Sequence, residues 1–393
     1  MAKALILGDL HLGKNLNFGK NLIGGTTYNS RLGDQLNILD WVLQLCSAEQ
    51  IYHVIITGDI FEEPKPNFQI IKEFLKWINK CGDLAINVHV IYGNHDILRN
   101  GQFITSPLDI YEESEKENLF LYKNIETFHL DEMSFTLIPF TDYKTLQVSK
   151  NEEANNIIKQ KLVFELGETP PFYTKIVIGH LALEGSMWVG DEVEGISNEI
   201  FVTPSTLNGF DLIWMGHVHK LQDFKWPGFK HVAHIGSADI SDFGEEKHTK
   251  KVVIIDNGNF KYVEIPNRKF FSIAKDILES DKDPTGIIKK EIEDNKESIK
   301  NSIVKIEINN SSLQSLDKKE IQDLVYKLGA FHLYKIVEHK KISSPLLQKK
   351  TTLEFKTEIS ENEAINKWAE KFIDKDKRTD FIELCADIMK QDK

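Results

Sequence analysis

Nine side chains able to do acid–base or metal chemistry stand just beyond apolar runs in this chain: Asp9 and His11, Asp59, Asn94 with His95 and Asp96, His180, and His217 with His219. Imidazoles, carboxylates and one amide oxygen form a donor set suited to Mn2+, Fe2+ or Zn2+, with no thiolate to select a softer ion. Two such ions about 3.5–4 Å apart can share a carboxylate and hold a hydroxide between them, which is hydrolytic chemistry. The pairs Asp9–His11 and His217–His219 each aim two ligands from one turn. Histidine is 13 of 393 residues, so H-x-H arises by chance about 0.4 times in such a chain. The ordered set therefore carries the signal rather than any one pair.

A competing motif fails on chemistry. Residues 8–15, GDLHLGKN, come close to the phosphate loop G-x-x-x-x-G-K-[ST], yet Asn15 replaces the hydroxyl a magnesium ion requires and Asp9 would repel the phosphates. Lys14 and Asn15 stay candidates for approaching a substrate phosphate.

The elements that must position these residues are legible. KALILGD, HVIITGD, INVHVIYGNHD, TKIVIGH and DLIWMGH each run apolar to a glycine and then a ligand, the pattern of strands buried on both faces. Leu36, Leu39, Val42 and Leu43, and again Ile70, Phe74, Leu75 and Ile78, have helical spacing. Alternating strand and helix implies a parallel sheet with right-handed crossovers, whose ligands gather beyond the carboxyl ends of the strands. After residue 222, Phe224, HVAHI (231–235), KKVVIID (250–256) and NFKYVEI (259–265), with Asn257-Gly258 between the last two, read as antiparallel hairpins. VKIEI (304–308), a helix over 321–328 and a strand over 331–338 suggest a small α/β domain at 272–345, and the polar segment 281–298 is expected to be exposed. Ala364, Ile365, Trp368, Ala369, Phe372 and Ile373 share a helical face, as do Phe381, Leu384, Cys385, Ile388 and Met389.

Composition bounds the function. The length suits two to three domains, and 41% hydrophobic with 27% charged residues excludes collagen-like and wholly disordered classes. No apolar run approaches the ~20 residues of a membrane span and no signal-peptide pattern opens the chain. The three cysteines, Cys46, Cys81 and Cys385, form no CxxC pair, so a cytoplasmic setting without a disulfide framework is expected. With 48 basic and 60 acidic side chains, net −12, wholesale coating of nucleic acid is excluded. A local cationic groove is not, and Lys14, Lys20, Arg31, Lys65 and Arg99 are its candidates. Trp188 and Phe243 could stack on bases, packing being the commoner role.

GDLHLG (8–13), GD (58–59), GNHD (93–96), GH (179–180) and GHVH (216–219) resemble the signature blocks of calcineurin-like metallophosphoesterases over about residues 3–265. HIGSADISDFGEEKHTKKVVIID (234–256) followed by IPNRKFFSI is similar to blocks of SbcD-type DNA nucleases, the nuclease subunits of double-strand-break repair complexes. The resemblance implies a four-layer α-β-β-α sandwich at 1–268, a DNA-binding α/β cap at 272–345, and a helical tail at 346–393 that grips the coiled coil of an SbcC-type ABC ATPase. It also implies a homodimer acting on DNA and two divalent cations per chain, Mn2+ foremost and Mg2+ as the alternative. Asp9, His11, Asp59 and His219 would hold one cation; Asp59, Asn94, His180 and His217 would hold the other. His95 would contact the scissile phosphate, with Asp96 orienting it. Glu62 stands where archaeal and eukaryotic relatives carry a histidine. The expected activity is exonuclease or endonuclease cleavage in DNA recombination, repair or replication by a two-metal-activated hydroxide. The alternatives are a general metallophosphoesterase acting on small phosphodiesters or phosphoproteins, and a non-catalytic scaffold.

Overall fold

The computed structural model describes residues 3–19, 29–100, 103–112, 116–188, 199–312, 314–340 and Arg378, with only the backbone at 99, 100, 103 and 104. All of these except Arg378 belong to the unit Met1–Lys340. The helices expected at 346–393 lie outside the described residues.

Strand alternation builds the layers. In Lys3–Leu7, Leu5 and Leu7 face one way and Ala4 and Ile6 the other; in His53–Ile56, Val54 and Ile56 oppose Ile55. One set packs under helices Ser30–Glu49 and Phe68–Asp83, where Ile38, Leu39, Val42, Phe74, Trp77 and Ile78 fill the first core. The other set meets a second sheet through Phe135, Leu137, Ile176, Ile178 and Trp214. Helix Asn151–Glu168 covers the far face of that sheet with Ala154, Ile158 and Leu162. The result is helix, sheet, sheet, helix, as the fold class requires.

The first sheet runs, in spatial order, Asn259–Glu264, Lys251–Asp256, Lys3–Leu7, His53–Ile56, Asn87–Ile91 and Leu119–Tyr122. Its last four strands are parallel and the first two close an antiparallel hairpin. The hairpin turns at Asn257 and Gly258, both at positive φ (49° and 76°), the geometry Asn-Gly favours. The second sheet runs Gln222–Phe224, His231–His234, Leu212–Met215, Thr174–Gly179, Met133–Ile138 and Glu126–Leu130. Here HVAHI pairs antiparallel with Gln222–Phe224 but parallel with Leu212–Met215, so it is a central strand as well as a hairpin arm.

A third, parallel sheet, Phe270–Ile277, Ile303–Asn310 and His332–Lys340, packs against helices Pro284–Asp294 and Lys318–Lys327 through Ile273, Ile288, Ile292, Ile306, Ile321 and Val325. Segment 281–298 is therefore not simply exposed: Asp283 caps a helix whose Ile288 and Ile292 are buried. This sheet joins the rest through an aromatic cluster of Phe18, Phe243, Phe270, Phe331 and Tyr334. Among the described residues no helix is long and apolar enough to cross a membrane.

Candidate metal centre

The ligand-bearing residues leave their strands through turns of unusual backbone. His11, Asp59 and His217 all have positive φ (45°, 47° and 74°), a conformation non-glycine residues adopt at a cost of order 1–3 kcal/mol. The glycines before the ligands permit close approach. A Cβ on Gly93 would strike the Asp59 carboxylate, and one on Gly216 would strike that of Asp9. These turns come together at one end of both sheets and carry Asp9, Asp59 and His180 to 0–1% exposure.

Each of four histidines is tied by one ring nitrogen and turns the other inward. His11 Nδ1 lies 2.8 Å from Glu62 Oε2 and its Nε2 is 2.9 Å from His219 Nε2. His219 Nδ1 lies 3.6 Å from Glu245 Oε1. His180 Nδ1 donates to the Thr57 carbonyl at 2.8 Å, and its Nε2 lies 2.9 Å from Asn94 Oδ1 and 3.2 Å from Asp59 Oδ2. His217 Nε2 lies 2.8 Å from Glu199 Oε2, and its Nδ1 is 3.0 Å from the same Asn94 oxygen. An outer acceptor on one nitrogen fixes the tautomer and leaves the lone pair of the other free to bind a cation. Asp9, His11 and His219 form one convergent group and Asp59, His180 and His217 another, while Asp59 also groups with His11 and His95. Two imidazole nitrogens 2.9 Å apart, beside carboxylates, fit a shared cation far better than each other.

Electrostatics follow from burial and the two carboxylates. Burial disfavours charge on His180, but Asp59 and Asp9, with the bonds to Asp59 and Thr57, outweigh it and raise its pKa to about 10. His11 goes the other way, to about 4, because burial, His219 and Lys14 prevail over Glu62 and Asp59. Burial works against a charge on Asp59, yet His180, His95 and His11 hold it well below the usual carboxylate range. His95 is held above the ordinary histidine value: burial opposes its charge, and Asp59, the Glu62 carbonyl and the Glu62 carboxylate overcome it. Its Nδ1–H donates to that carbonyl at 2.6 Å and its backbone N–H to Asp59 Oδ1 at 2.8 Å.

Other expected residues take different positions. Asp96 accepts from the backbone N–H groups of Ile60, Phe61 and Gly93, so it braces the two loops that carry Asp59 and His95, while the Glu62 carbonyl holds the His95 ring. Burial and Asp59 raise its pKa to about 7. Lys14 is buried, 3.9 Å from Glu62 Oε2, and Asn15 donates to the Ser241 carbonyl. Arg31 does not belong to a cationic groove: it is fully buried, bonded to Asp239 and the Ile240 carbonyl, with Asp34 3.5 Å away. Lys65 is exposed; Lys20 and the Arg99 side chain lie outside the described residues. Trp188 stands edge-on to His217 at 5.3 Å, whereas Phe243 packs in the aromatic junction.

Sequence reasoning missed Glu199 and Glu245 and assigned Glu62 no task at the centre. Glu245 sits within the FGE block of residues 234–256, so a signal for it existed. Glu199 lies in no motif, so nothing marked it. Glu245 is buried, and Lys250 at 3.2 Å, with His219 and the Ser241 amide, holds its carboxyl far below the usual range against the effect of burial.

Residues 2–221, over half the chain, match the calcineurin-like phosphoesterase family. The chain is 24% identical over 285 residues to the SbcD component of the nuclease SbcCD from Staphylococcus saprophyticus, covering 68% of this chain and 66% of that protein. Among solved structures, a dimetal phosphatase from Danio rerio is similar over 67% of this chain and 98% of its own, at 11% identity and a TM-score of 0.39. A cold-active protein-tyrosine phosphatase from a psychrophilic Shewanella is similar over 67% of this chain and 80% of its own, at 11% identity and a TM-score of 0.28.

Proposed function

The chain belongs to the calcineurin-like phosphoesterase family, metal-dependent hydrolases of phosphoesters, and from that premise we propose that it is a DNA nuclease of the SbcD type. The observation that carries the reading is the set of four histidines, each anchored outward by an oxygen and turned inward toward Asp9, Asp59 and Asn94. The relative's name, a nuclease subunit, supports the choice of nucleic acid over other phosphoesters. In this reading residues 1–268 are catalytic, 272–345 form a cap against the DNA, and 346–393 engage an SbcC-type ATPase.

Asp9, His11, Asp59 and His219 on one side, and Asp59, Asn94, His180 and His217 on the other, would hold two divalent cations (Mn2+ foremost), which would supply Lewis acidity toward the phosphoryl oxygens and lower the pKa of water. The chain's residues do the rest. Asp59 and Asp9 set the negative field that draws the cations, and Asn94 adds a neutral oxygen between His180 and His217. His95, its Nδ1–H fixed on the Glu62 carbonyl, offers Nε2–H to the substrate. As the P–O bond breaks, that proton passes to the departing 3′-oxygen, a general-acid step typically worth about 10²–10⁴-fold. Glu62 fixes the His11 tautomer.

Digestion of end-labelled DNA with Mn2+ or Mg2+, with and without the partner ATPase, tests the reading against turnover of bis-nitrophenyl phosphate. Preference for DNA supports it; preference for the small ester favours a general phosphoesterase, and turnover of neither favours a scaffold.

A further inference from the structure

Five of the chain's six tryptophans lie among the described residues, and four of those join an apolar core: Trp41 and Trp77 in the first core, Trp214 between the sheets, and Trp226 against the far face of the second sheet. Trp188 joins no core among the described residues. It is half-buried, and its ring meets that of His217 at 5.3 Å with an interplanar angle of 88°. The indoles of Trp77 and Trp214 donate to the Leu39 carbonyl and the Tyr262 hydroxyl, whereas that of Trp188 makes no hydrogen bond among the described residues. A large flat ring kept out of the core and beside the ligands offers an apolar face and a polar edge to whatever enters the centre.

The segment leading to Trp188 is fixed at several points. Gly185 turns at φ 89°, the Ser186 N–H donates to the Leu183 carbonyl, and Gln222 closes both backbone groups of Met187, accepting from its N–H at 2.9 Å and donating to its carbonyl at 3.0 Å. Ser186 Oγ lies 2.8 Å from Nε2 of buried His234, whose Nδ1–H donates at 3.0 Å to the carbonyl of Gly216, the residue before His217. One imidazole therefore ties this turn to the metal-ligand loop. A platform ordered before binding loses little freedom when a ring lands on it. We propose that Trp188 is a specificity-determining residue whose indole stacks on the base of a nucleotide flanking the scissile phosphate, with Gln222 as the positioning residue that holds the turn. The inference rests on the nuclease reading and adds to it a group that recognises a base rather than a phosphate. Every base has a π-face, so such stacking tolerates any sequence and discriminates only against a missing base.

The test measures kcat/KM of the full-length chain with Mn2+ on end-labelled oligonucleotides, intact or carrying a tetrahydrofuran abasic residue at either nucleotide flanking the cleaved bond. The wild type should lose about 5–150-fold on one of the abasic substrates, the equivalent of one stacked base. Trp188→Ala should lose a similar factor on intact DNA and be indifferent to the missing base, while Trp188→Phe keeps most of the discrimination. Gln222→Ala should lower the ratio of intact to abasic cleavage with Trp188 still present. Mn2+ affinity, read by calorimetry, should be the same in Trp188→Ala as in the wild type. An equal penalty for the missing base in wild type and Trp188→Ala would overturn the stacking, as would weaker Mn2+ binding in Trp188→Ala, which would make the ring a support for His217. Full discrimination in Gln222→Ala would overturn the positioning. Failure of the wild type to cleave any DNA would instead remove the nuclease reading, and this inference with it.

Discussion

Two residues at the centre separate holding cations from using them. His95 meets the centre through Asp59, Glu62 and an edge contact with the His11 ring (4.8 Å), and in the proposed chemistry it faces the substrate rather than a cation. His95→Asn should therefore keep cation stoichiometry, read by elemental analysis, while turnover falls about 10²–10⁴-fold; wild-type turnover would remove the acid role. Glu199 makes the opposite case, since its carboxylate orients His217 and reaches no substrate atom in the proposed chemistry. Glu199→Ala should weaken Mn2+ binding about 10–100-fold by calorimetry, the usual consequence of removing such a partner, and excess Mn2+ should restore most of the rate. Failure of excess Mn2+ to rescue would show a direct role instead. The ligands themselves were readable because each follows a glycine at the end of an apolar run. Glu199 was not, because it meets His217 only through the tertiary fold, whereas Glu245 lay within the FGE block.

At the level of elements, the strand ends position the chemistry and the sheet interior holds the strand ends in place. His89, on strand Asn87–Ile91, is stacked on Phe128 (4.1 Å between centroids) and Phe120 (4.9 Å) and lies 2.9 Å from the Tyr122 hydroxyl. Burial, reinforced by His53, lowers its pKa from 6.5 to about 3. The folded protein thus keeps His89 neutral while the unfolded chain takes up a proton near 6.5. Its contribution to stability is complete above 6.5 and is lost as pH falls toward 3. Urea unfolding should show the wild type losing about 2 kcal/mol more between about pH 7 and about pH 5 than His89→Phe does; parallel losses would refute the assignment. The five ligand-bearing strands were evident from their apolar runs, and the Asn257-Gly258 hairpin from its turn chemistry. Helix Pro284–Asp294 was hidden because Ile288 and Ile292 are its buried stripe in an otherwise charged segment. The strands between 119 and 138 end in no ligand, and nothing drew attention to them.

For the whole molecule, the net charge of −12 means that, in the proposed nuclease, attraction for DNA would have to come from the cations and local lysines rather than from the surface as a whole. Arg31 shows how composition misleads here: a cation counted toward DNA is buried against Asp239 and helps hold the region where the aromatic junction forms. The third sheet has its own core, and in the proposed function it would be the cap that faces DNA. In the proposed function the tail at 346–393 would engage the ATPase partner. A chain ending near residue 350 should keep Mn2+-dependent cleavage of DNA and lose co-elution with the ATPase. Loss of the cooperative melt in that shortened chain would make the tail part of the nuclease core instead.

The proposed chemistry requires a pair of cations held on either side of Asp59. Anomalous scattering from crystals grown in manganese measures this directly. Two peaks about 3.5–4 Å apart, one beside His11 and His219 and the other beside His180 and His217, are the predicted result. A single peak, or none, between those four rings would contradict it.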